Sequence, residues 1–249
     1  MRPPLAAITG GASGLGRAIG LRLRDEGWNV VVLDRAGSDR EGAAELDAGI
    51  AAIACDVTKA ASVNAAFDEI QRRHGYLDAL ICSAGVLRVG SLGEMSDEEF
   101  SLVLDVNVRG SWLAAKAALP LLRRREEPAV GGIVFLASIA ALRHRVNTGA
   151  YAASKSAVVA LSRILAAEVA VDGIRVNAVA PSTVDTPMTH EHFSPLDGAT
   201  YRANSPSPLG RYGTPDDIAA LVSFLLRRDA AFISGAVIPI DGATTAAMF

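Results

Sequence analysis

Short apolar runs alternate with longer segments of mixed polarity from one end of the chain to the other. Seven runs read as strands: Leu5 to Thr9, Asn29 to Leu33, Ile50 to Cys55, Ala79 to Cys82, Gly132 to Ala137, Arg175 to Ala180 and Ala236 to Ile240. They are continuous Val, Ile, Leu and Ala rather than alternating, the texture of parallel strands covered on both faces. Between them lie helix-periodic segments at Gly14 to Glu26, Ser62 to His74, Asp97 to Arg125, Ala150 to Val171 and Pro215 to Arg227. Strand and helix in regular alternation predict an α/β fold, a doubly wound seven-stranded parallel sheet with helices on both faces. No repeat or linker divides the chain, so residues 1–249 read as a single domain. The stretch from Ser182 to Gly213 is rich in proline and weakly periodic, and its length suits a substrate lid better than a passive connection.

Composition adds limits. The chain holds 45 alanines and 23 glycines, and 21 of its 24 basic residues are arginine, so its layers must approach closely. A net charge of −3 leaves no broad basic surface for a nucleic-acid backbone. No apolar run nears the roughly 18–20 residues of a membrane span, and glycines from Gly10 onward interrupt the N-terminal apolar stretch where a signal peptide needs continuity. Neither nucleic acid nor membrane is expected as a partner. Cys55 and Cys82 fall on the third and fourth strands; a 3-2-1-4 strand order would hold them roughly 14 Å apart, too far for a disulfide. Two reduced thiols suit a cytoplasmic protein. His190 and His192 have no third ligand beside them, so no metal site is expected.

The first strand runs into Thr9-Gly10-Gly11-Ala12-Ser13-Gly14-Leu15-Gly16, directly before a helical pattern. Glycines at a β-to-α junction let backbone N–H groups and a helix N-terminus meet a pyrophosphate, the device of a Rossmann dinucleotide site. The second strand ends in Asp34-Arg35, about twenty residues on, where a carboxylate accepts hydrogen bonds from the adenine-ribose hydroxyls. Asp34 would repel a 2′-phosphate, which favours NAD over NADP. Arg35 pulls the other way, but Ser13 supplies no second cation before Gly14.

With the residues that follow, the chain resembles the short-chain dehydrogenase/reductase family over essentially its whole length. The matching residues are Thr9-Gly10-x3-Gly14-x-Gly16, Asp34, Asp56-Val57, Ala84-Gly85, Asn107, Ser138, Tyr151-x3-Lys155, Pro181 with Thr186-Pro187, and Asp241-Gly242. Three places depart from the family pattern: Cys82-Ser83 replaces Asn-Asn, Ser182 replaces Gly after Pro181, and Ala243 replaces the last glycine of Asp-Gly-Gly. The resemblance implies that Gly10, Ser13, Gly14, Leu15, Gly16, Asp34 and Arg35 border the cofactor, with Asp56 and Val57 at the adenine. Ser83, Ala84, Gly85, Pro181, Val184 and Thr186 would line the cofactor beyond the fourth and sixth strands.

Tyr151 and Lys155 lie four apart on a helical pattern and share one face. A free tyrosine has a pKa of about 10, and an ammonium beside it, with a positive nicotinamide, favours the phenolate. The resemblance implies that Tyr151 exchanges the substrate proton while hydride passes between the carbinol carbon and the nicotinamide. Ser138 would hold the substrate oxygen, Lys155 would also bind the nicotinamide ribose, Tyr151 would border the cofactor too, and Asn107 would position a water that returns protons to solvent. Arg88, after the fourth strand, and Arg145, within Arg143-His144-Arg145, would border the substrate, where guanidinium groups favour a carboxylate. Ala84-Gly85-Val86-Leu87-Arg88-Val89-Gly90, with Arg145 six before Tyr151, is similar to the 2,3-dihydro-2,3-dihydroxybenzoate dehydrogenase branch, which implies a cyclic hydroxy-carboxylate.

The expected function is NAD-dependent oxidation of a secondary alcohol or reduction of its ketone, and the family implies a homotetramer. A 3-oxoacyl-carrier reductase shares every motif; Arg109 and Arg123 to Arg125 would then serve as its docking surface. A nucleotide-binding regulator without catalysis would show decay at Ser138, Tyr151 or Lys155, and all three are present.

Overall fold

The computed structural model describes residues 2–35, 50–123, 130–192 and 207–246, without the side chains of residues 190–192. The seven strands are β1 (Leu5–Thr9), β2 (Asn29–Asp34), β3 (Ile50–Ala54), β4 (Ala79–Cys82), β5 (Gly132–Leu136), β6 (Val176–Pro181) and β7 (Val237–Ile240). They form one sheet in the order β3-β2-β1-β4-β5-β6-β7, and every pairing is parallel. β1 explains why the runs do not alternate. Leu5 and Ala7 belong to the apolar cluster on one face of the sheet and Ala6 and Ile8 to the cluster on the other, all fully buried.

Helices α1 (Gly14–Asp25) and α7 (Pro215–Leu226) cover one face through Ile19, Leu23, Ile218 and Val222. Helices α2 (Ala60–Arg73), α3 (Asp97–Leu104), α4 (Ser111–Leu122) and α5 (Gly149–Glu168) lie on the other side of the sheet, where α2, α4 and α5 supply Phe67, Ile70, Leu122, Val158 and Val159 to the core. Ala114, Ala115 and Ala118 of α4 are buried in that layer, so much of the alanine content is small side chains at a close helix–sheet contact. A short helix, α6 (Pro187–His192), follows β6.

The stretch read as one helix from Asp97 to Arg125 is corrected. An α-helical piece to Leu104 passes into a π-helical segment, Asp105–Gly110, and then into α4, which ends at Leu122. One inserted residue turns the helix face by about 100°, but α4 is apolar nearly all round, so no sharp stripe in the sequence registers the change. Arg124 and Arg125 lie outside the described residues, as does most of the proposed lid; its described parts are 182–192, carrying α6, and 207–213. Cys55, one residue past β3, and Cys82 are both free and buried, with β2 and β1 between their strands.

β7 is followed by Asp241, whose carboxylate accepts from Ala243 N (3.0 Å), Thr245 N (2.8 Å) and Thr245 Oγ1 (2.6 Å). This turn holds Ala243 at φ 71°, in the left-handed region where a Cβ is penalised. Ala243→Gly is therefore expected to raise stability by roughly 0.5–1 kcal/mol, the relieved strain less the added unfolded-state entropy, and Tm by about 2–3 °C. Thermal unfolding of the two proteins checks this.

Candidate active site

β1 lies at the place where the chain switches direction across the sheet, with β2 on one side and β4 on the other. Open parallel sheets bind ligands at such a point, beyond the C-terminal strand ends. Gly10 follows β1 at φ 66°, donates its N–H to Leu33 O (2.8 Å) and passes so close to the β4 loop that a Cβ would stand 2.7 Å from Ala84 Cα. A Cβ on Gly16 would stand 2.3 Å from Gly10 O. Thr9 Oγ1 accepts the N–H groups of Ser83 (3.2 Å) and Ala84 (3.3 Å), fixing the gap between the two loops. α3 is capped by Ser96 behind three acidic residues and α7 by a Thr214/Asp217 box, whereas α1 has neither a side-chain cap nor an acid in its first turn. α2 and α5 lack both as well, so the open cap of α1 has meaning through its place directly behind the glycine turn, where a helix N-terminus can meet an anion.

At the end of β2, Asp34 accepts from Ala12 N (3.0 Å) and Arg35 N (2.8 Å), so its carboxylate is held beside the glycine turn while Arg35 is exposed. Asp56 is half-buried after β3. Hydrogen bonds from Thr58, then Lys59, hold its carboxyl below the usual range. Val57 is buried against Gly110 of the π-helical segment. This cradle fits a dinucleotide: narrow backbone where phosphate would lie, and a fixed carboxylate one strand away.

The π-helical segment turns Asn107 fully inward. Its Oδ1 accepts from Val86 N (2.8 Å), and its Nδ2 donates to Val86 O (3.0 Å) and Ser154 Oγ (2.9 Å). Ser154 Oγ in turn donates to Tyr151 O (2.7 Å). One amide thus ties the loop after β4 to the first turns of α5, which carry Tyr151 and Lys155. Both donors of that amide are spent on protein groups. Nothing in the motif marks Ser154, an inner residue of Tyr-x3-Lys; its role depends on contacts across three elements.

Ser138 follows β5, and its Oγ accepts from Ala140 N (3.1 Å), which leaves the hydroxyl hydrogen to be donated. Ser138 and Tyr151 line one cleft of about 490 Å³, together with Leu15, Pro181, Val184 and Thr186. Lys155 lies below it, 6% exposed, with Nζ donating to Leu136 O (2.7 Å) and standing 5.7 Å from the Tyr151 ring centroid. Gly85 is beside both groups of the layer beneath; a Cβ there would be 3.4 Å from Asn107 Oδ1 and 3.6 Å from Lys155 Nζ. The arginines divide. Leu87 and Val89 line the cleft, whereas Arg88 between them does not and donates to Leu87 O (2.7 Å). Arg145 does line it.

Burial pushes the Lys155 ammonium down to about 8. The unfolded chain, with an ordinary lysine, binds more protons than the native one between about pH 8 and 10.5, so stability rises with pH across that window. Relative to Lys155→Met, the wild type is expected to gain on the order of 3 kcal/mol over it, with the full cost of burying the charge present below about pH 8. Denaturant midpoints of both proteins from pH 7 to 11 measure it.

Comparison with known proteins agrees with this arrangement. A family model described as enoyl-(acyl carrier protein) reductase matches residues 10–245. A 2-(S)-hydroxypropyl-CoM dehydrogenase of Xanthobacter autotrophicus is 37% identical, with 99% of this chain and 98% of that protein aligned. The chain belongs to the short-chain dehydrogenase/reductase family. Membership makes it an oxidoreductase of alcohol and carbonyl groups on a nicotinamide-binding fold. Among solved structures of the family, Thermoplasma acidophilum aldohexose dehydrogenase superposes with a TM-score of 0.88 at 32% identity, covering 99% of this chain and 96% of that one. A Brucella melitensis 3-ketoacyl-(acyl-carrier-protein) reductase, solved with NADH, superposes with a TM-score of 0.84 at 30% identity, covering 97% and 98%. In this short-chain dehydrogenase/reductase, the described residues contain no cluster of potential metal ligands and no helix long and apolar enough to cross a membrane.

Proposed function

We propose that the protein is an NAD-dependent oxidoreductase interconverting a secondary alcohol and its ketone, with Tyr151 as the acid–base group. The observation that supports this reading is the meeting of Ser138 and Tyr151 in one cleft, over buried Lys155 and beside the glycine cradle. Lys155 Nζ stands 5.7 Å from the Tyr151 ring centroid, near enough for its positive charge to favour the phenolate that takes a proton. The Ser138 hydroxyl donates to the substrate oxygen and orients its proton to Tyr151; in reduction Tyr151 returns it. The nicotinamide supplies the two-electron acceptor or donor at its C4 carbon. Both side-chain donors and Oδ1 of Asn107 are engaged by protein groups, so the amide positions α5, and a water would share the backbone oxygen with Ser111 Oγ (2.7 Å).

Asp34 supports NAD: its carboxylate is already oriented by two backbone N–H groups and would have to desolvate against a 2′-phosphate. The described parts of 182–213 border the cleft through Ser182, Met188, Ser207 and Arg211, which supports reading that segment as the substrate lid of a single catalytic domain. Exposed Phe100, Leu102, Trp112 and Ile164 on α3 to α5 support a homotetramer, and the buried free thiols suit the cytoplasm. The Brucella relative favours a second reading, reduction of 3-oxoacyl carriers. Turnover of secondary alcohols, ketones and acyl thioesters with NAD(H) and NADP(H) separates the two. The first reading requires turnover of free alcohols with NAD preferred at least tenfold; activity confined to acyl thioesters favours the second.

A further inference from the structure

The described lining of the cleft is rich in hydroxyl groups, and the fold itself uses several of them. Thr148 donates to Arg145 O (2.6 Å), Ser207 to Arg211 O (2.7 Å), Thr244 to Asp241 O (2.6 Å) and Thr189 to Val184 O. With its one hydrogen on that carbonyl, Thr189 Oγ1 accepts from Thr186 Oγ1 (2.7 Å), so Thr186 also turns its hydrogen toward the protein. Ser182 and Thr183 differ. Both line the cleft, neither hydroxyl bonds a described residue, and neither is sealed in the interior.

Strand β6 decides between the two. Ala178 and Ala180 pack in the apolar cluster on the α5 side of the sheet, and Val179 packs in the cluster on the other side. The ladder to β7 keeps its step, with Ala178 N donating to Ala236 O (2.9 Å) and Ser182 N to Ile240 O (3.3 Å). Ser182 therefore leaves the strand on the α5 side, where Tyr151 stands. On the neighbouring strand, β5, Leu136 lies opposite Val179, and Ser138 follows in extended conformation (φ −166°, ψ 156°). Ser138 and Ser182 thus sit on adjacent strand ends, whose spacing of about 4.8 Å suits two oxygens one or two carbons apart. The backbone at Ser182 is outside the left-handed region, so alanine or glycine can replace it without strain.

Building on the oxidoreductase reading, we infer that Ser182 is a specificity residue: it hydrogen-bonds a second oxygen of the substrate, a hydroxyl or carbonyl one or two carbons from the reacting one. A hydroxyl held for such a partner disfavours an analogue that lacks it. The stereoisomers of butane-2,3-diol are compared with the enantiomers of butan-2-ol in two ways, by kcat/KM for oxidation with NAD and by affinity for the NADH complex, read from nicotinamide fluorescence. At least one diol is expected to exceed both mono-alcohols about tenfold or more in each measurement. S182A and S182G lose that preference, and S182T, which keeps the hydroxyl, retains part of it. Mono-alcohols that match every diol, or absence of binding by any diol, overturn the inference. So does an S182A protein that keeps the preference; a loss of NADH affinity in that protein then assigns the hydroxyl to the cofactor. A diol preference in binding, lost in S182A, without oxidation of any alcohol supports the role of Ser182 and contradicts the oxidoreductase reading alone.

Discussion

Tyr151→Phe is expected to lower kcat by about 10²–10⁴-fold, the usual contribution of a positioned acid–base group. The ring lines the cleft with Ser138 and stands 5.7 Å from the Lys155 ammonium, so phenylalanine keeps the packing and removes only the group that carries the proton. NADH affinity and Tm should change little, because the cradle is built from other residues: Gly10, Gly16, Thr9 and the start of α1. Steady-state kinetics alongside NADH binding separate these effects. A fall in both kcat and cofactor affinity would instead indicate a displaced α5.

Gly16→Ala is expected to weaken NAD binding by about 100-fold or more, two decades being roughly 2.7 kcal/mol, and to lower stability. The new Cβ would stand 2.3 Å from Gly10 O and 2.9 Å from Gly10 C, and both are backbone atoms. No rotamer change can relieve that overlap; the turn must open, and with it the N–H groups aimed at the pyrophosphate. Overpacking of this kind costs about 1–3 kcal/mol, or roughly 4–10 °C in Tm at this chain length. Gly14→Ala is the contrast. Its φ of 52° is unfavourable for alanine, yet nothing lies within 4 Å of the added carbon. It should cost about 1–2 kcal/mol without closing the cradle, and titration of both variants with NADH distinguishes strain from obstruction.

The strands are legible in the sequence because β1, β2, β4, β5 and β6 are covered on both faces, which turns burial into unbroken apolar runs. The site motifs are legible because they fall at strand ends, where a parallel sheet gathers them whatever the distance in sequence. The π-helical segment is not: the phase shift of one extra residue leaves no mark where α4 is apolar nearly all round, and the structure reveals it with the partners of Asn107. Arginine is the least legible residue type. Arg175 is buried and donates to the carbonyls of Gly131, Leu225 and Ala230, and Arg2 pairs with Asp78, so both brace the fold. Arg88 and Arg145 look alike as sequence, and only their places in the structure separate them: Arg145 lines the cleft and Arg88 does not.

Isotope transfer from substrate probes the hydride chemistry at its source. Secondary alcohols deuterated at the carbinol carbon, neutral and anionic, are incubated with the protein and NAD, and the reduced nicotinamide is analysed by NMR for deuterium at C4. Stoichiometric label at one face of C4, lost in Tyr151→Phe, is the expected result. NADH binding with no label transferred from any alcohol, or transfer by Tyr151→Phe at the wild-type rate, would contradict the assignment of Tyr151 and of the reaction.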